Sequence, residues 1–135
     1  MTPGVQGHTN LKTDTAISSV AKVIEASCVI LIDSIHTDSF GNLASTIQIS
    51  TEQMMIKGRG HIFSQESLGI PIVGIGVPLV MRYAQGDDPD SNELIMRTGI
   101  AGDLESAAST IAYGISRTAY PKVRPKELAE IMKAI

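Results

Sequence analysis

An aspartate that closes an unbroken apolar run is the first residue of this sequence placed for chemistry. Cys28-Val29-Ile30-Leu31-Ile32-Asp33 strings together apolar, mostly β-branched residues without alternation, the pattern of a strand buried on both faces inside a parallel α/β sheet. A carboxylate where such a strand runs out lies at the carboxyl edge of the sheet, where open α/β folds place their ligand crevices. Asp33 is therefore the first candidate for acid–base work. The same residue type also starts turns and accepts hydrogen bonds from nearby backbone amides, so a structural role stands beside the chemical one.

The other chemistry-bearing residues are more dispersed. In Lys57-Gly58-Arg59-Gly60-His61 two glycines flank an arginine. Backbone amides there could approach an anion, but the spacing matches neither the Walker nor the dinucleotide fingerprint, and the stretch reads as a mobile surface loop. His61, like His8 and His36, has the chemistry of a base or a ligand, and as an isolated histidine reads more simply as a solvated side chain. Asp87, Asp88 and Asp90 sit in one acidic turn around Pro89; without EF-hand spacing they read as exposed rather than as a cation site. The single cysteine, Cys28, lies in the apolar run and reads as a small core hydrophobe, not a disulfide partner or activated thiolate.

The elements that must position these residues follow from periodicity. Thr13 or Asp14 offers an N-cap, after which Ala16, Ile17, Val20, Ala21 and Ile24 form one helical stripe leading into the Cys28 strand. The polar segment from Ser34 to Asn42 reads as a loop, and Ser45-Thr46-Ile47-Gln48-Ile49-Ser50 alternates as a strand with one differently covered face. A second buried strand is predicted over Ile70-Pro71-Ile72-Val73-Gly74-Ile75-Gly76-Val77-Pro78. Its two glycines leave one face bare for close approach, most simply of a helix. Pro78 suits the first turn of a short helix through Leu79, Val80 and Tyr83. A short strand is expected from Glu93 to Arg97. Leu104, Ala107, Ala108, Ile111, Ala112 and Ile115 then make a small-residue helical stripe, and Pro125 opens a last helix carrying Leu128, Ile131, Met132 and Ile135 on one face.

With 135 residues and neither repeat nor linker, residues 1–135 are expected to form a single α/β domain. Hydrophobic residues make up 43% and charged ones 19%, as in a soluble globular chain, and a net charge of −3 without a basic stripe argues against nucleic-acid binding. No run approaches the roughly 20 apolar residues of a membrane span, and Met1-Thr2-Pro3-Gly4 does not look like a signal peptide, so a cytoplasmic location is expected.

Several stretches together resemble the spore germination proteases. They are Thr2-Pro3-Gly4-Val5-Gln6-Gly7-His8-Thr9, Val29-Ile30-Leu31-Ile32-Asp33, Ser45-Thr46-Ile47-Gln48-Ile49-Ser50, and Glu66-Ser67-Leu68-Gly69 with the strand through Pro78, in colinear order. Val123-Arg124-Pro125-Lys126-Glu127-Leu128 is similar to a segment near the family's C-terminus. The resemblance implies a three-layer α/β/α sandwich with a mostly parallel, mixed sheet, shared more distantly with the hydrogenase maturation proteases. It also implies endopeptidase cleavage of small acid-soluble spore proteins by an aspartate-based mechanism; no cofactor or metal is expected. One of the family's two proposed catalytic aspartates falls on Asp33, as the water-activating carboxylate. The other belongs upstream of the Pro-Gly-Val segment, where this sequence begins, and Thr51 stands where the family's Asp-Thr-Gly would start.

Carboxylate peptidases need one ionised and one protonated group, their pKa values pushed apart by proximity. Asp38, five residues on, and Asp103 are the replacement partners within the sequence. Two rival readings stand beside the peptidase. One is a non-catalytic binding or assembly module on the same scaffold; the other is a metal site at the sheet edge built from Asp33 with His36 or His61. A sheet lacking its first strand would expose an edge and apolar surface, so a homo-oligomer is expected.

Overall fold

The computed structural model describes residues 12–56, 61–84, 92–96 and 99–133, and the chain divides into two compact units, residues 1–95 and 96–135. In the first unit helix α1 (Thr13–Val23) begins with Asp14 in its first turn and ends with Lys22 in its last, each charge complementing the helix dipole. The helix closes on a Schellman arrangement. Ala26 N donates to Ala21 O and Glu25 N to Lys22 O, while Glu25 takes the left-handed conformation (φ 50°) that glycine usually supplies. Of the expected stripe Ile17 and Ala21 are buried, whereas Val20 is 39% and Ile24 66% exposed.

Strand β1 (Val29–Thr37) follows. A 3-10 turn at Phe40–Asn42 leads to β2 (Gln48–Ser50). Beyond β2 the chain builds a hairpin of β3 (Gln53–Ile56) and β4 (His61–Ser64) and a one-turn helix α2 (Gln65–Leu68); of the surface loop expected at Lys57 to His61, residues 57–60 lie outside the described residues and His61 opens β4. The short helix is held by reciprocal capping, Ser67 N donating to Ser64 Oγ and Ser64 N to Ser67 Oγ, and stops at Gly69 in the left-handed region.

The central strand is β5 (Ile72–Ala84). It pairs in parallel with β1, antiparallel with β2, and also with β6 (Asn92–Met96). The sheet is therefore mixed, in an α/β fold, as expected. The helix expected after Pro78 does not form, because β5 runs straight through it. Proline cannot donate to the ladder, and the pairing shifts there: Ile35 faces Pro78 but His36 faces Val80. The Pro78 carbonyl accepts from Ala44 N at 2.7 Å, which ties the turn after β1 to the sheet.

Register alternation sorts the side chains of the β1/β5 pair. Val29, Leu31, Asp33 and Ile35 share a face with Ile72, Gly74 and Gly76, while Ile30 and Ile32 share the other with Val73 and Ile75. The core of this unit gathers on the Leu31 face, where Ile17 of α1, Met54 and Phe63 of the hairpin and Leu68 of α2 meet Leu31 and Ile72. The other face is not covered alike: Ile30 is 48% and Ile32 54% exposed. Burial on both faces of β1 was the sequence expectation, and it fails because an apolar run reports what a strand can bury, not which neighbours reach it. Cys28 is also exposed, just ahead of the strand rather than inside it.

The second unit is a pair of helices, α3 (Ile100–Ala119) and α4 (Pro125–Lys133). Arg117 at the end of α3 donates through Nη1 to the Val123 carbonyl at 2.6 Å, bracing the turn between them. Pro125 occupies the first turn of α4 as predicted. Ahead of it Arg124 donates from its backbone N and from its guanidinium to the Glu127 carboxylate, and these bonds hold Glu127 below the usual glutamate pKa range. Leu128 is buried and Ile131 is 53% exposed.

Candidate active site

Asp33 is the fifth of nine residues in β1, not its last. The strand extends to Thr37 because Ser34, Ile35 and His36 stay in register with β5, and it ends where Thr37 Oγ1 and Ser39 close a small turn. The half-buried Asp33 lies opposite Gly76. Its Oδ1 accepts from Ser34 N at 2.7 Å, and among the described residues no second titratable side chain hydrogen-bonds to it. The structure thus gives Asp33 the local backbone-binding role that its residue type allows, within a strand rather than at its tip.

Gly76, the register partner of Asp33, though not Asp33 itself, lines a cavity of about 280 Å³. Gly74 and Gly76 form its floor, Ile35 and Met54 its apolar walls, and Gln48, Ser50 and Gln53 bring amide and hydroxyl groups to it. Hydrogen-bonding groups over an apolar base suit a polypeptide backbone, which offers both donors and acceptors. The bare face of β5 is used for close approach, but by strand β3 and by Ile35 rather than by a helix. A Cβ at Gly74 would stand 2.9 Å from Met54 Cβ, and one at Gly76 would stand 2.7 Å from Ile35 Cδ1.

That geometry sets the sign of a substitution. Gly74→Ala is expected to destabilise by about 1–3 kcal/mol, since Met54 Cβ cannot swing aside without moving β3. Gly102→Ala, in α3 with open space around it, is expected to stabilise by about 1 kcal/mol from helix propensity alone. Urea unfolding of the two variants checks this; equal shifts would mean that the close approach at Gly74 carries no energy.

The remaining sequence candidates separate. Asp38 is exposed in the turn after β1, and Asp103 lies in the first turn of α3, in the second unit. His36 lines the cavity, but three positions from Asp33 on a strand it alternates to the opposite face. Among the described residues no three His, Cys, Asp or Glu side chains gather as a metal would require. His61 opens β4, with its side chain outside the description; His8, Arg59 and the acidic turn at Asp87 to Asp90 lie outside the described residues. What the sequence reading missed is the polar rim. Gln48 and Ser50 carry a signal in the alternation of β2, whereas Gln53 has none until the hairpin is known.

The mixed sheet of an α/β fold is accompanied by a match of residues 1–109 to the sequence pattern of the germination protease family. The chain belongs to the germination protease family. It is 34% identical over 86 residues to the germination protease of Clostridium perfringens strain SM101, a match covering 61% of this chain and 26% of that relative. To the germination protease of Bacillus cytotoxicus it is 36% identical over 83 residues, covering 58% of this chain and 23% of the relative. The matched stretch thus spans about a quarter of the length of these relatives. Among the described residues no helix is long and apolar enough to cross a membrane.

Proposed function

We propose that this chain carries the peptide-cleaving half-site of a germination-type endopeptidase, with Asp33 as the carboxylate that activates water. The observation that motivates this reading is the register of Asp33 opposite Gly76, because Gly76 lines a cavity whose polar rim suits an extended polypeptide. Family membership supports it. In the proposed step Asp33 takes a proton from water, the hydroxide adds to the scissile carbonyl, and a protonated partner delivers a proton to the leaving nitrogen. Asp38 is the partner nearest in sequence; in a longer protein a carboxylate from another segment would serve. The substrate class is a small, basic, disordered protein of the spore type, whose charge complements a chain of net charge −3.

A non-catalytic binding module is the second reading. It is favoured by the hydrogen bonding of Asp33, which among the described residues engages only the neighbouring Ser34 amide. Incubating the chain with a small, basic, disordered spore-type protein, and resolving products by mass spectrometry, separates the two. Discrete fragments are expected from the enzyme. An intact substrate that co-elutes with the chain, from acidic to neutral pH, would replace the enzyme by the binding module.

A further inference from the structure

Two primary amides, those of Gln48 and Gln53, share the rim of the cavity over Gly74 and Gly76. Gln48 and Ser50 stand directly opposite Gly76 and Gly74 in the β2/β5 ladder, so their side chains lie on the glycine face of the sheet, above backbone that carries none of its own. Ser50 Oγ accepts from Gln53 N at 3.5 Å, and this contact folds the start of β3 back beside β2. The second amide reaches the same rim by that route.

Below the rim Ile35 packs over Gly76 and Met54 over Gly74, each so close that a Cβ on the glycine would strike it. The lining holds no Asp, Glu, Lys or Arg, although such residues make up 19% of the chain, and from Ile35 to His36 successive side chains on β1 take opposite faces. A charged side chain of a bound polypeptide would meet no counter-charge there, and desolvating an unpaired charge is unfavourable. A purely apolar one would cover the two amides without bonding to them.

We propose that the cavity seats one carboxamide side chain, glutamine or asparagine, of the polypeptide bound there, and so selects which positions of a basic chain are held for cleavage. This assignment rests on the reading of the cavity as a polypeptide site. A primary amide carries two donors and an acceptor, so the incoming side chain donates to the carbonyl of one rim glutamine and accepts from the NH2 of a rim glutamine. Its methylene stem lies against Ile35 and Met54. In a substrate rich in lysine the uncharged cavity works by exclusion, admitting the neutral hydrogen-bonding positions and turning away the cationic ones.

Labelled peptides of a single disordered, lysine-containing sequence, differing only in a central glutamine, asparagine, glutamate, leucine or lysine, test this with the whole chain. Binding is read by fluorescence anisotropy at mildly alkaline pH, where histidine is neutral, and cleavage by mass spectrometry. The glutamine or asparagine peptide is expected to bind about tenfold tighter than the rest, the worth of two ordinary hydrogen bonds. Gln48→Glu should raise binding of the lysine peptide about threefold relative to the glutamine peptide, as an exposed ion pair would. Gln65→Glu adds the same charge on α2, outside the cavity lining, and should leave that ratio unchanged. Binding indifferent to the central residue, or a ratio that Gln48→Glu moves no more than Gln65→Glu does, overturns the assignment; cleavage of those same peptides would leave the peptidase reading standing. Uncut peptides that keep the carboxamide preference support the assignment and count against the peptidase instead. Peptides that do not bind at all overturn both.

Discussion

Asp33→Asn is expected to lower peptide cleavage by about 10²–10⁴-fold, the usual worth of a positioned general base, while leaving the unfolding curve unchanged within about 0.5 kcal/mol. The two halves of this expectation have separate origins. An amide cannot accept the proton that water must lose, so the chemical step is deprived of its base. Its oxygen still accepts a hydrogen bond, so the contact from Ser34 N, at 2.7 Å in the native chain, survives with the same shape. The opposite arm of Gly76 has no side chain to clash with the new group. Fragment yield and urea unfolding, measured on one preparation, check both halves. Turnover equal to that of the native chain would remove Asp33 from the chemistry, and joint loss of activity and stability would assign it to the scaffold.

Phe63→Ala should produce the largest loss of stability, about 3–5 kcal/mol, by combining lost burial with an unfilled cavity. Phe63 is 2% exposed and stands opposite Met54 in the β3/β4 hairpin. Both side chains belong to the core with Leu31 and Ile72. The hairpin forms its own two-stranded sheet, and such a ribbon is marginal without packing, so this side chain is what fastens it over Gly74. Phe63→Leu, closer in volume, should cost under about 1.5 kcal/mol. Similar midpoints for the two variants in urea would show that the hairpin docks by other means.

The sequence exposed the framework where a local rule and the final packing agree. Pro125 opens α4 because its fixed φ and missing N–H suit a first turn, and Ile72 to Val77 form a strand because β-branched residues and glycines leave no helical stripe. Legibility ended where the deciding neighbour is distant in sequence. Pro78 carries the signature of a helix start, yet β5 absorbs it, since the pairing shift opposite Ile35 removes the demand for its N–H. Likewise, nothing local to Gln53–Ser64 reveals a hairpin, whose strands are only four residues each. Asp33 was recognisable as a residue beside a strand, but its place in the middle of β1 depends on Ser34 to Thr37 finding partners in β5. The exposure of Ile30 and Ile32 depends in turn on what covers the sheet, which apolar content does not encode.

The parallel register of Val29 with Ile72 has a consequence during synthesis. Β1 leaves the ribosome without the strand it must join, and roughly forty more residues have to be translated before that strand exists. At about 5–20 residues per second the wait lasts some seconds, long against the microseconds in which an isolated hairpin closes. Through that interval the nascent chain presents a naked run of valine, isoleucine and leucine to chaperones and to neighbouring polysomes. The yield of folded protein should therefore be governed by translation speed over residues 38–71 as much as by the final free energy of the fold.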